Sequence, residues 1–131
     1  MEKAYREALY TCPSYGGTIK IGESSSSIDL IMNKIGVEEL CVLTADNPGS
    51  KIKSRAENDF AYAEMCEQVK NLNCRFTEVV NKDPHGKFPD EVSIWVWGMD
   101  ESKGRQIGKQ FNQNAFVYYR SGETARLVWC K

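Results

Sequence analysis

The chain has 131 residues, room for one hydrophobic core, so a single domain over residues 1–131 is expected. Hydrophobic residues at 41% and charged residues at 27% exclude disorder over most of that length. Seventeen Lys+Arg against eighteen Asp+Glu leave a net charge of -1, so no global field draws the chain to nucleic acid or to an anionic membrane, and neither is an expected partner.

No apolar run of about 18 residues exists, which argues against a membrane-spanning helix. The N-terminal stretch mixes Glu, Lys and Arg with isolated apolar residues and lacks the core of a secretory leader, so the expected location is the cytoplasm. Cys12, Cys41, Cys66, Cys74 and Cys130 are odd in number and contain no C-x-x-C, and are expected as reduced thiols packed as small hydrophobes.

Residues 8–12 and 18–22 flank a Pro-Ser-Tyr-Gly-Gly turn and read as an opening hairpin. Ser26 with Asp29 supplies a helix start, Ile28, Ile31, Met32 and Ile35 follow at helical spacing, and Gly36 ends the helix. The continuous apolar run 40–43 has the signature of a central strand buried on both faces. It stops at a turn over 44–50 containing Asn-Pro and Pro-Gly. Ser54 and Glu57 form a capping box, after which Phe60, Tyr62, Ala63, Met65, Cys66, Val69 and Leu72 predict a long helix with a broad apolar face.

Residues 74–80 read as a strand, followed by a loop over 81–89 rich in turn residues. In 91–98, Val92, Ile94 and Val96 alternate with Ser93, Trp95 and Trp97, because successive strand side chains point to opposite faces. Asp100 caps a third helix in which Gly104 and Gly108, four apart, allow close approach to a sheet. Residues 115–119 and 125–128 close the chain as a second hairpin. The expected fold is α/β with α+β character: a single mixed sheet in the order β-β-α-β-α-β-β-α-β-β, covered by about three helices.

Three places offer chemistry. The turn after the central strand brings Thr44, Asp46, Asn47, Ser50 and Lys51 to a strand's carboxyl end, just before a helix start carrying Lys53, Arg55 and Asn58, where phosphate or carboxylate oxygens can be held. Neither a P-loop nor a dinucleotide fingerprint is present, and the alternative is a tight turn before a well-capped helix. Glu91, Ser93, Trp95 and Trp97 share one strand face, where tryptophan can stack on a planar ring while Glu91 accepts its N–H groups; the alternative is that the tryptophans fill the core. Asn112, Gln113 and Asn114 at a helix-to-strand junction are either caps or readers of a base or sugar edge. Tyr118, Tyr119 and Arg120 beyond them suit an aromatic ligand or a subunit interface, so a homo-oligomer is allowed for.

Catalytic constellations are thin. His85 is the sole histidine, in an Asp-Pro-His-Gly loop with no nucleophile signature, and with Asp83 it lacks the partners of a metal site. No catalytic residue, metal or cofactor is expected. Two basic clusters, Lys51/Lys53/Arg55 and Lys103/Arg105/Lys109, are interleaved with acids and read as solvated faces.

Ile21-Gly22, Thr44-Ala45-x-Asn47-Pro48-x-Ser50, Glu57-Asn58, Pro89-x-Glu91-x-Ser93 and Gly108-x-x-Phe111-x-Gln113-x-Ala115 occur in that order. In these motifs the chain resembles the bacterial family called domain of unknown function 3293. It departs at Asn112, where glycine is usual, and at Phe88, where tryptophan is usual. The family has no assigned activity, so the resemblance implies no catalytic residue.

The leading expectation is a binding protein that senses or sequesters a small polar, nucleotide-derived ligand. By analogy alone, such compact domains serve bacterial or phage defence and counter-defence. Its expected ligand-binding residues are Thr44, Asn47, Ser50, Lys51, Arg55, Asn58, Glu91, Ser93, Trp95 and Gln113, gathered in one pocket. The alternatives are a small hydrolase or transferase acting on a phosphorylated molecule, with Glu91 or Asp46 as base, and a protein-interaction module anchored by Trp95, Trp97, Tyr118 and Tyr119.

Overall fold

The alternating and continuous apolar runs fold into two sheets in a computed structural model that describes residues 10–81, 85–86 and 90–130. Residues 8 and 9 of the expected first strand, Asp83, Phe88 and Pro89 lie outside the described residues. Strands β1 (Tyr10–Cys12) and β2 (Gly17–Ile19) make a hairpin with Tyr10 opposite Ile19. Strands β3 (Glu39–Thr44), β4 (Arg75–Asn81), β5 (Glu91–Trp97), β6 (Ala115–Arg120) and β7 (Arg126–Trp129) form the main sheet in the order β4-β5-β3-β6-β7. Helices α1 (Ser26–Ile35), α2 (Arg55–Asn71) and α3 (Glu101–Gln110) are interspersed as the patterning predicts.

The element order and the α+β class agree with the sequence, but the expected single sheet is two. Every adjacent pair in the five-stranded sheet is antiparallel, and a parallel bridge from Ile21 to Ala125 ties the small hairpin to it. The hairpin packs over one face of that sheet, with Tyr10, Cys12 and Ile19 in one core with Leu40 and Val42.

Strand β3 is central and its run Leu40-Cys41-Val42-Leu43 is buried on both sides. Leu40 and Val42 join Val79, Trp95, Trp97, Val117 and Tyr119 under the hairpin and Ile28 and Met32 of α1. Cys41 and Leu43 join Ile94, Val96, Phe116 and Tyr118 under Met65 and Val69 of α2 and Ile107 of α3. The protein is therefore three layers with two cores, and the alternation along β5 divides its side chains between them.

Helix starts follow their caps. The Ser25 hydroxyl, one residue before the expected Ser26, accepts the Ile28 N–H at 3.3 Å, and Gly36 ends α1 at φ 89°. Ser54 and Glu57 complete the expected capping box of α2. The expected broad apolar face of α2 is narrower than its composition suggests, because only Asn58, Met65 and Val69 are buried while Phe60 and Leu72 are 69% and 41% exposed. Asp100 caps α3, and a Cβ on Gly104 would stand 2.8 Å from both Cys41 Sγ and the Phe116 ring, which explains the glycine. All five cysteines are free thiols. Among the described residues, no helix is long and apolar enough to cross a membrane.

Candidate functional site

At the carboxyl end of β3 the chain leaves the sheet beside the start of β5 and the approach to β6, and one aspartate ties the three together. The side chain of Asp46 is fully buried; its Oδ2 accepts the Val92 N–H at 2.9 Å, and its Oδ1 meets the Arg55 guanidinium at 3.3 Å. Its backbone carbonyl accepts Gln113 Nε2 at 3.0 Å, and its N–H donates to Thr44 Oγ1 at 3.0 Å. Thr44 in turn donates to the Val92 carbonyl at 2.7 Å. A buried carboxylate persists only with such partners, so this network fixes where the turn begins.

The next residue, Asn47, takes a left-handed conformation at φ 48° and ψ 61°. Asn58 in the first turn of α2 holds it there, accepting the Asn47 N–H with Oδ1 and donating Nδ2 to Asn47 Oδ1, both at 2.9 Å. Asn47 Oδ1 also accepts the Lys53 N–H at 3.1 Å. Between these anchors runs a 3-10 turn, Pro48–Ser50, in which Gly49 has φ 65° and donates its N–H to the Asn112 carbonyl at 2.7 Å.

Glu91 opens β5 and stands opposite Asn81 in register. Burial, and then the neighbouring Asp46 charge, push its carboxyl up to about 7, so it holds a proton near neutrality that an exposed glutamate would have lost.

Outside the turn lies an open groove of about 580 Å³, within the size range of small-ligand pockets. Pro48, Gly49, Lys51 and Lys53 of the turn line it together with Ala61 of α2 and Gln110, Phe111 and Asn112 at the end of α3. None of its lining residues is a carboxylate, and among the described residues neither lysine is in an ion pair. A second hollow, of about 360 Å³ between Asn33 and Arg120, differs in kind. Its Arg120 already meets Glu38 at 3.5 Å, Glu39 at 3.4 Å and Glu123 at 3.6 Å.

Of the residues expected to bind a ligand, Lys51 lines the groove. Thr44, Asn47, Arg55, Asn58 and Gln113 build the scaffold behind it, and Ser50 closes the 3-10 turn. Asn47, Glu91 and Gln113 gather around Asp46, but none of them lines the groove, so the expected common pocket is not what brings them together. Ser93 is buried and donates to the Val79 carbonyl at 3.3 Å. Trp95 is fully buried and lies 5.9 Å from Trp97, ring to ring, so it packs the core under α1 and presents no stacking face.

The same correction applies to the expected aromatic anchors. Tyr118 and Tyr119 are buried on opposite faces of β6, opposite Cys41 and Leu40, with their hydroxyls donating to Glu39 and Asp29 at 2.6 Å each. With Trp95 and Trp97 they belong to the two cores. His85 is exposed, and among the described residues no group of three or more His, Cys, Asp or Glu side chains could hold a metal.

The expected ligand-binding set omits Asp46, Gly49, Lys53 and Asn112, although Asp46 and Lys53 stand in the candidate turn and Asn112 in the candidate helix-to-strand junction read from the sequence. A signal for one of them was present: Lys51 and Lys53 are two apart, and in extended chain such residues share a side.

Compared with known proteins, residues 43–116, more than half of the chain and the whole stretch from β3 into β6, match the family model described as protein of unknown function (DUF3293). No curated protein and no solved structure matches the chain.

Proposed function

We propose that this chain, which belongs to the DUF3293 family, binds a small polar, nucleotide-derived ligand in the groove between the 48–53 turn and the end of α3. The observation that carries the reading is the pairing of Lys51 and Lys53 on a groove with no carboxylate in its lining. Two cations on one groove, neither in an ion pair among the described residues and only Lys53 near a carboxylate, that of Glu57, attract an anion, whereas Arg120 in the second hollow already meets three carboxylates. Phe111 and Ala61 supply apolar contact for a ring, and the Gln110 and Asn112 amides can donate to and accept from its edge. The Asp46 and Asn58 networks hold the turn in one conformation before any ligand arrives, which lowers the ordering cost of binding.

Calorimetric titration with a panel of nucleotides tests this. Binding by the wild type that is lost in the Lys51→Gln, Lys53→Gln double variant supports it. Absence of heat and of any thermal stabilisation across the panel contradicts it.

Glu91 favours a second reading, a small hydrolase or transferase acting on a phosphorylated molecule. A carboxyl pushed up to about 7 beside a buried carboxylate has the protonation balance of a general acid or base. Chromatography of nucleotides after incubation separates the two readings, since a pure binder returns its ligand intact.

A further inference from the structure

We infer that the groove selects a ligand bearing two linked phosphoryl groups, a diphosphate, over one bearing a single phosphoryl group; this rests on the ligand-groove reading above. The placement of hydrogen-bond donors carries it. Lys51 is in extended conformation at φ -94° and ψ 126°. In extended chain, residues two apart share a side with their Cα atoms roughly 6.5 Å apart, and Lys51 and Lys53 have that spacing in the sequence. Both line the groove, while Ile52 between them is 75% exposed and is not part of its lining.

A third donor shares the lining with them. The Gly49 N–H donates to the Asn112 carbonyl at 2.7 Å, and Asn112 Nδ2 lies 3.8 Å from where a Cβ on Gly49 would stand. The Asn112 side chain is exposed and, among the described residues, its amide has no hydrogen-bond partner. The groove lining therefore carries two lysines and one unbonded amide as donors, with the amide beside a glycine that has no side chain of its own. One phosphoryl group brings at most about two negative charges to the two lysines. A linked pair places oxygens on both lysines while its bridge passes the Asn112 amide, and it brings more negative charge to the same two cations.

The test is calorimetry at fixed ionic strength with a nucleoside monophosphate, the diphosphate of the same nucleoside, and inorganic pyrophosphate. The diphosphate is expected to bind at least about tenfold more tightly than the monophosphate, and pyrophosphate to compete with it. Lys53→Gln is expected to bring the diphosphate down to the monophosphate's affinity. Asn112→Asp, whose new side chain also tolerates φ 56°, is expected to abolish diphosphate binding by charge repulsion with melting temperature unchanged. Equal affinity for monophosphate and diphosphate overturns the selectivity and leaves the ligand groove standing. Binding by none of the three probes overturns both.

Discussion

Asn47 and Asn58 hold one another by two hydrogen bonds of 2.9 Å, one to the Asn47 backbone and one to its side chain. This pair joins the strand end to the first turn of α2, and everything that faces the groove from residues 48 to 53 hangs between its two members. Asn58→Ala leaves the Asn47 N–H and Oδ1 without that partner in a part-buried place. The expected cost is about 2 kcal/mol in urea-denaturation stability, with a fall in ligand affinity as the turn loosens. An unchanged midpoint would show that the pair contributes nothing to the turn.

The left-handed backbone at Asn47 separates two substitutions that both remove the side-chain bonds. At φ 48° glycine is at ease and alanine is strained, so Asn47→Ala is expected to be less stable than Asn47→Gly by about 1 kcal/mol. Equal stabilities, measured by the same denaturation, would mean that the turn relaxes once the amide is gone.

Glu91 gives stability a pH dependence of definite sign. Its folded-state value of about 7 lies above the ordinary 4.5, so the folded protein binds this proton more tightly than the unfolded chain does. The contribution is full below about 4.5, declines as pH rises, and is gone above about 7. Glu91 keeps some exposure, so a contribution on the order of 2 kcal/mol is expected. Glu91→Gln should therefore match the wild type near pH 4 and exceed it in stability near pH 8, in thermal melts across that range. A wild-type curve with the same slope as the variant's would remove Glu91 as the source.

Gly104 tests how closely α3 lies on the sheet. Gly104→Ala drives a methyl to 2.8 Å from Cys41 Sγ and the Phe116 ring, and the expected loss is about 1–3 kcal/mol. Adding Cys41→Ala makes room on one side and should recover part of it, a coupling that a double-mutant cycle reads directly.

Local pattern carried much of this fold. The capping box at Ser54 and Glu57, the stop at Gly36, the cap at Asp100 and the alternation from Val92 to Trp97 are each written in a few neighbouring residues, and each appears where the sequence puts it. Strand partners are not written that way. Periodicity tells Trp95 which face it shares with Trp97, but whether α1 covers that face depends on residues more than sixty positions away. The antiparallel pairing of β3 with both β5 and β6 was hidden for the same reason.

The site divided along a similar line. Asp46, Asn47, Asn58 and Gln113 do converge, as their polar character at strand ends and helix starts suggests, yet they converge on backbone groups and on each other. A polar side chain at a turn satisfies its own loop first. The surface left for a ligand belongs to side chains that the network leaves unused, those of Lys51, Lys53 and Asn112.

The most direct measurement is a series of amide ¹H–¹⁵N spectra recorded while a nucleoside diphosphate is added to the wild-type protein. The expected result is saturable shifts concentrated at Gly49, Lys51, Lys53, Phe111 and Asn112, with the Asn33 and Ser121 amides at the second hollow unmoved. Shifts confined to that second hollow, or no saturable shift at all, would contradict the account.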